Sequence, residues 1–259
     1  MRKKSTYVVL LIILLVFFVV MFLTFGIKNI REGKYGVTLI VGDNTIWSYN
    51  NRKWNNITSS ASVQKLNWEK YKVFENNEEK GEYSLWHDDK WYAFDDEKNA
   101  INIDGNLLAY RANFNMKVYP FKEEKIDSMD YVAYVLEENN ISTSSKFTTS
   151  YKVHFDFDND GVNEDFYLVS NAFPMDFDPE TIFSLVFMVK DNQIYYIYND
   201  VSENRSFNGC KPFFTSFLDV NNDNTYEFVL SCGRYSIEEQ VDMLYQFEDG
   251  AFKIIISSQ

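Results

Sequence analysis

Residues 7–27 form an uninterrupted apolar run, YVVLLIILLVFFVVMFLTFGI, without a single charged side chain. An α-helix rises about 1.5 Å per residue, so a helix of this length crosses the hydrocarbon core of a bilayer, which is roughly 30 Å thick. Such a helix is apolar on every side and has no polar face to turn toward water. The run therefore predicts a transmembrane anchor, with the lipid bilayer as the partner of residues 7–27.

A cleaved signal peptide is the alternative interpretation of this run. The apolar region of a signal peptide is usually about 7–15 residues long and leads to a cleavage site of small residues. Here the apolar run is longer, and residues 24–28, TFGIK, contain no such site. These features favour a retained anchor over a cleaved leader.

Basic residues on both sides of the anchor bear on its orientation. Arg2, Lys3 and Lys4 precede it and favour a cytoplasmic N-terminus, whereas three further basic residues between 28 and 34 weaken this bias. The acidic loops described below favour an outward-facing C-terminal part, because weak calcium sites suit extracellular calcium concentrations. We expect a single-pass protein of the cell membrane with an extracytoplasmic C-terminal domain.

The part of the chain after the anchor is strongly acidic. It holds all 38 Asp and Glu residues and 22 of the 25 Lys and Arg residues, which gives a formal charge of −16. Like charges repel, so this charge excludes nucleic acid and anionic membrane surfaces as partners. The chain also holds 23 Phe, 18 Tyr and 5 Trp residues. Because they are spread along strand-like runs, we interpret them as a β core rather than as a platform for sugars.

Five segments combine an apolar or aromatic run, a turn rich in Asp, Asn or Gly, and a second such run. Two-residue hairpin turns need positive φ angles, which these turn residues tolerate. The predicted hairpins cover residues 38–50, 84–94, 99–110, 185–199 and 244–256. The sequence therefore predicts a mainly β ectodomain, built as a meander, a sandwich or propeller-like blades.

One segment departs from the β pattern. Residues 128–139, SMDYVAYVLEEN, place apolar residues at helical spacing after Ser128, a residue type that favours the N-cap position. This pattern predicts one short helix, followed by a Ser/Thr-rich linker over residues 142–150.

The chain has two cysteines, Cys210 and Cys232. Two thiols are too few for a zinc site made of cysteines alone. In an oxidising compartment the two residues can pair, although their spacing alone does not place them side by side.

Two acidic loops carry the strongest chemical signal. Residues 156–165 read DFDNDGVNED, and residues 219–228 read DVNNDNTYEF, so the two loops align at a spacing of 63. Oxygen-bearing side chains recur at positions 1, 3, 5 and 9, and calcium takes six to eight oxygen ligands. The candidate calcium ligands are Asp156, Asp158, Asp160, the backbone of Val162, and Glu164 in the first loop, and Asp219, Asn221, Asp223, the backbone of Thr225, and Glu227 in the second.

These loops are not EF-hands, because an EF-hand needs a bidentate Glu at position 12. Position 12 is Tyr167 in the first loop and Leu230 in the second, and strand-like runs flank both loops. The alternative interpretation is an acidic turn, since Asp, Asn and Gly are common turn residues. Calcium is favoured because the clustered carboxylates of the first loop would repel one another without a cation.

The order strand, D-x-[DN]-x-D-x-x-x-[DE], strand, and later hairpin resembles the calcium-binding repeats of the FG-GAP and VCBS families, twice over residues 151–257. The later hairpins correspond as well, with residues 189–192, VKDN, matching residues 247–250, FEDG. The resemblance implies blade-like β units in which calcium holds the loop between two strands. Asn224 stands where Gly is usual, and Asn tolerates the left-handed conformation.

No catalytic constellation is recognisable. His87 and His154 lack a partner histidine at metal-ligand spacing, and the chain has no Gly-x-Ser-x-Gly motif and no phosphate-binding glycine loop. We therefore expect a protein that is not an enzyme.

The expected organisation has six parts. They are a cytoplasmic tail (1–6), the transmembrane anchor (7–27), a linker (28–35), a β-hairpin region (36–125), a helix and linker (126–150), and two calcium-loop β repeats (151–259). The leading hypothesis is a cell-surface module that binds Ca²⁺ structurally and recognises an extracellular protein or glycan. The alternatives are a tethered hydrolase of cell-wall or extracellular glycans and a structural subunit of an envelope complex.

Overall fold

The computed structural model describes residues 37–258 except 51–52, 104–105, 113, 115, 173–180, 203–209 and 235–238. The predicted tail, anchor and linker, residues 1–35, lie outside the described residues. Among the helices within the described ranges, none has the length and apolar character needed to cross a membrane.

Strands dominate the described part of the chain, so the mainly β prediction is confirmed. The strands are β1 (Val37–Val41), β2 (Thr45–Asn50), β3 (Lys53–Asn56), β4 (Lys70–Glu75), β5 (Glu78–His87), β6 (Trp91–Phe94), β7 (Ala100–Ile101), β8 (Leu107–Arg111), β9 (Lys117–Tyr119), β10 (Thr149–Phe155), β11 (Glu164–Ser170), β12 (Ile182–Lys190), β13 (Gln193–Ser202), β14 (Lys211–Asp219), β15 (Glu227–Arg234), β16 (Glu239–Glu248) and β17 (Ala251–Ser257). The helices are α1 (Ser60–Gln64) and α2 (Asp130–Glu138).

Helix α2 confirms the helix predicted over residues 128–139, but its N-cap is Met129 rather than Ser128, and α1 was not predicted. The single turn of α1 has no buried residue, so its sequence lacks the apolar face that would reveal it. Its N-cap Ser59 instead accepts a hydrogen bond from the backbone amide of Ser62 at 3.3 Å.

The strands form three antiparallel sheets. The first sheet has the order β3-β2-β1-β8-β4-β5-β6-β7. The second sheet is the four-stranded meander β10-β11-β12-β13, and the third sheet has the order β17-β16-β15-β14-β9. The second and third sheets therefore share one design, a four-stranded meander whose first two strands are joined by an acidic loop.

Four of the five predicted hairpins are confirmed, namely β1–β2, β5–β6, β12–β13 and β16–β17. The fifth, over residues 99–110, is wrong. Strand β7 pairs with β6, whereas β8 lies between β1 and β4. The first four residues of β8 are buried. Strand β8 pairs with β1 on one side and with β4 on the other, whereas a local hairpin would give this buried strand only one partner.

The third sheet lies in the middle of a three-sheet stack. One of its faces packs against the second sheet through a core of aromatic rings, and the other face packs against the first sheet. Phe155 and Phe217 belong to the aromatic core, and their ring centroids are 4.5 Å apart. Leu39 and Leu244 belong to the opposite core. For these buried rings the interpretation as a β core is confirmed.

The two outer faces of the stack are covered differently. Val132, Val135 and Leu136 of α2 pack against the outer face of the second sheet. On the first sheet, Leu66, which follows α1, joins a buried cluster that includes Trp91. The hydrophobic burial on successive faces of the sheets holds the stack together.

Cys210 and Cys232 form a disulfide, with their Cα atoms 5.4 Å apart. Cys210 directly precedes β14, and Cys232 lies on β15, opposite Pro212. Both cysteines are buried in the aromatic core. The pairing that the sequence left open is thus made by the antiparallel register of β14 and β15.

Replacing both Cys210 and Cys232 by Ser is expected to lower the free energy of unfolding by about 3 kcal/mol, because the bridge closes a chain loop of 22 residues. For a domain of this size the midpoint should fall by roughly 6–12 °C. Thermal unfolding of the oxidised, reduced and doubly substituted proteins measures this loss. Equal midpoints for all three would contradict a stabilising bridge.

Candidate metal centre

Both acidic loops join neighbouring strands, as predicted. The first loop connects β10 with β11 in the second sheet, and the second loop connects β14 with β15 in the third sheet. The backbone amide of Tyr226 in the second loop donates a hydrogen bond to the carbonyl of Phe157 in the first, at 3.1 Å. The two loops therefore lie side by side at one end of the stack.

The first aspartate of each loop closes the loop with the same pair of hydrogen bonds. The two carboxylate oxygens of Asp156 accept from the backbone amides of Asp160 and Gly161, at 3.0 and 2.9 Å. Asp219 accepts in the same way from the amides four and five residues further on, at 3.1 and 3.2 Å. The two loops thus share one backbone conformation, as their aligned sequences predict.

The glutamate at position 9 repeats as well. Glu164 accepts a hydrogen bond from the backbone amide of Phe157 at 2.8 Å, and Glu227 accepts one from Val220 at 3.0 Å. Both glutamates are buried, with exposed fractions of 1 % and 4 %. Burial raises the pKa of Glu164 and raises that of Glu227 to about 7. A nearby cation would favour the charged form of both.

Left-handed residues recur at matched positions in the two loops. Asn159 and Gly161 have φ angles of 57° and 88° in the first loop, and Asn222 and Asn224 have 58° and 69° in the second. The expectation that Asn224 substitutes for a loop glycine in a left-handed conformation is confirmed.

The acidic side chains of the first loop converge. One carboxylate oxygen from each of Asp156, Asp158 and Glu164 lies within 4.8 Å of the others, a spacing compatible with a shared metal ion. Among the described residues, the buried Oδ1 of Asp158 has no hydrogen-bond partner. Asp160 is more exposed, and its Oδ1 accepts from the amide of Val162 at 2.8 Å.

Lys190, at the end of β12, places its ammonium group among these carboxylates. Its Nζ lies 2.6 Å from Asp158, 2.7 Å from Asp160 and 2.9 Å from Glu164. Although burial lowers the pKa of Lys190, its hydrogen bonds to the three carboxylates raise it well above the ordinary value. The protein itself thus supplies one positive charge among the four carboxylates of the first loop.

The sequence alone does not show that Lys190 faces the first loop. Alignment of the two repeats by their hairpin turns pairs Lys190 with Glu248. The strand ladder gives a different match. Asp165 lies opposite Val189, so Glu164 faces Lys190. In the third sheet Phe228 lies opposite Tyr245, so the residue that faces Glu227 is Gln246, which is neutral.

The charge of the second loop is compensated by other contacts and only in part. The Asn221 side-chain amide donates to Asp223 at 2.9 Å and to Glu227 at 3.3 Å. Lys117 of β9 lies 3.6 Å from Asp219, which is fully buried. Within the described part of the chain, no ion pair involves Glu227.

The two histidines stand apart from the candidate ligands. Nδ1 of His154 lies 2.6 Å from Asp165, and its Nε2 lies 3.0 Å from the Asn163 amide. The ring of His87 packs edge-on against Trp91, with centroids 4.8 Å apart. None of these contacts brings a nucleophile to a histidine, and the expectation of a non-enzymatic protein stays a prediction.

No protein-family model matches this chain, and no curated protein or solved structure shows significant similarity to it.

Proposed function

We propose that this chain is a membrane-anchored, extracytoplasmic binding module whose C-terminal β repeats are stabilised by calcium, with the second loop as the principal calcium site. The observation that carries the proposal is the recurrence of one loop architecture with buried acidic ligands, in which Lys190 faces the first loop and Gln246 faces the second. The apolar run at residues 7–27 supports the anchor, and the disulfide fits an oxidising compartment.

The electrostatics of the second loop favour an external cation. Asp219 and Glu227 are buried carboxylates close to Asp223, and charges taken out of water are stable only when they are compensated. Lys117 compensates Asp219 from one side and is itself half exposed. A calcium ion held by Asp219, Asn221, Asp223, the backbone of Thr225 and Glu227 would supply the missing charge.

The first loop retains the ligand set for calcium but already contains a cation. Calcium can enter it only when the Lys190 ammonium leaves Asp158, Asp160 and Glu164. We therefore propose that the first loop binds calcium more weakly than the second. Both loops serve the same purpose in this proposal, which is to hold the first two strands of each meander together.

The two meanders, each with its acidic loop between the first and second strands, also support blade-like units of the FG-GAP and VCBS kind. Such units are scaffolds that present a surface to a ligand. The partner in this proposal is an extracellular protein or glycan, in keeping with the acidic exterior and the absence of a recognisable catalytic motif in the sequence.

Calcium is expected to raise the unfolding midpoint of the full-length protein in detergent micelles. One site filled at ten times its dissociation constant contributes about 1.4 kcal/mol, or roughly 3–6 °C. Asp223→Asn should reduce the shift, because it removes a charged ligand while keeping an oxygen that can accept from Thr225. Differential scanning calorimetry with calcium and with chelator measures the effect.

Asp249→Asn is the matched control for this experiment. Asp249 lies in the β16–β17 turn, where it pairs with Lys253 at 3.0 Å, and it is not one of the candidate calcium ligands. The calcium shift should be unchanged in this variant. A shift of the same size in Asp223→Asn and in Asp249→Asn would contradict the assignment to the second loop.

Exchanging the residues that face the two glutamates should exchange the calcium dependence of the loops. Lys190→Gln removes the internal cation and is expected to cost about 3 kcal/mol without calcium, at the low end for a broken buried ion pair because Asp160 is 44 % exposed. Added calcium should recover most of this loss. Gln246→Lys places an ammonium opposite Glu227 and should abolish the shift of the second loop.

Urea unfolding of both variants, with calcium and with chelator, measures these effects. If Lys190→Gln were as stable as the wild type in chelator, Lys190 would not be the compensating charge of the first loop. If Gln246→Lys kept the full calcium shift, the second loop would not be the principal site.

A further inference from the structure

A cavity of about 370 Å³ opens between the first sheet and the second acidic loop. Tyr49, Lys53 and Trp54 line it from the β2–β3 hairpin, and Asn221, Glu227 and Gln246 line it from the third sheet and its loop. Two of these residues, Asn221 and Gln246, also distinguish the second loop and its ladder partner from the first, where Asp158 and Lys190 stand at the matching positions. The cavity and the proposed calcium site therefore share a wall.

The replacement of Lys190 by Gln246 at the matching ladder position accounts for this cavity. In the second sheet the ladder position opposite the loop glutamate carries Lys190, whose side chain reaches over the loop and pairs with three carboxylates. In the third sheet the same position carries the shorter, neutral Gln246. The space beside Glu227 is thereby left open toward the first sheet.

The wall on the first sheet is aromatic. Tyr49 and Trp54 lie directly opposite each other on β2 and β3, with ring centroids 5.2 Å apart and ring planes inclined by 45°. Both side chains are partly exposed. Aromatic rings provide a broad apolar surface, which is the kind of wall on which the C–H face of a sugar ring packs.

The opposite wall is polar and carries both donors and acceptors. The side-chain amide of Gln246 can donate and accept hydrogen bonds, and the Glu227 carboxylate, which Asn221 holds by a hydrogen bond at 3.3 Å, accepts them. The Lys53 ammonium adds a donor, and it forms no ion pair with another described residue. Neighbouring hydroxyl groups, each a donor and an acceptor at once, complement such a set.

We infer that this cavity binds a pyranose ring of a glycan, with Trp54 as the packing surface and with Glu227 and Gln246 forming hydrogen bonds to the hydroxyl groups. The inference rests on the proposed function, because calcium strengthens the site. Calcium takes six to eight oxygens, and the loop offers five ligand positions, so adjacent sugar hydroxyls can complete its shell. The ligand class within the broader protein-or-glycan proposal is thus a glycan.

The test uses the full-length protein in lipid nanodiscs and a panel of methyl pyranosides with the corresponding oligosaccharides. Saturation-transfer NMR is recorded with calcium and with chelator. At least one saccharide should show transfer to its ring C–H protons, and chelator should weaken its binding several-fold. Trp54→Ala should weaken binding at least tenfold, and Gln246→Ala several-fold.

Trp68→Ala is the matched control, because Trp68 is 54 % exposed and packs against Phe94 on the first sheet, outside the cavity. Its saccharide binding should equal that of the wild type. The unfolding midpoint of Trp54→Ala is measured in parallel because Trp54 also contacts the core, and the partly exposed Gln246 supplies an independent variant.

The outcomes separate this inference from the proposed function. A calcium shift in unfolding without binding of any saccharide overturns the glycan site and leaves the calcium proposal standing. Saccharide binding that is lost in Trp54→Ala but independent of calcium supports the cavity and overturns the role of calcium in it, whereas the calcium proposal itself is decided by the unfolding shift. Equal binding by Trp54→Ala, Gln246→Ala and wild type overturns the cavity as the site.

Discussion

Two buried glutamates, Glu164 and Glu227, set the electrostatic requirement of the C-terminal half of this protein. Each begins a strand, accepts a hydrogen bond from a loop backbone amide, and is almost completely removed from water. A carboxylate in that position either keeps its proton or acquires a positive neighbour. The compensation of this charge affects the hydrogen bonds that fix each loop. Through these hydrogen bonds it affects the junction of the first two strands in each meander.

The two repeats compensate the buried glutamate differently, although their loops form nearly the same set of hydrogen bonds. Lys190 extends from the neighbouring strand and contacts three carboxylates of the first loop. Gln246 takes the equivalent ladder position beside Glu227 and brings no charge. One repeat therefore contains its own cation, and in our proposal the other takes a cation from its surroundings. Lys190 against Gln246 and Asp158 against Asn221 are thus the side-chain differences on which our proposal for the two loops depends.

The stacking order of the sheets determines which part of the molecule each loop faces. The third sheet lies centrally, so its loop faces the aromatic β2–β3 hairpin of the first sheet across a cavity. The second sheet is covered on its outer face by α2, and its loop is closed by Lys190. Burial of aromatic and aliphatic side chains on both faces of the third sheet fixes this order, and the cavity is a consequence of that packing rather than of the loop alone.

The sequence by itself determined the features that depend on neighbouring residues. Asn and Gly at left-handed positions specify the turns and loops, alternation specifies the strands, and helical spacing specifies α2. These signals predict four of the five hairpins correctly. They also match Asp156 of the first loop with Asp219 of the second. The tertiary structure alone decided the features that depend on which strands pair and in what register. It placed β8 between β1 and β4, joined Cys210 to Cys232, and set Lys190 opposite Glu164 and Gln246 opposite Glu227. Local patterns cannot specify these contacts, because a strand carries the same alternation whichever partner it has, and only the burial of whole sheet faces selects one arrangement.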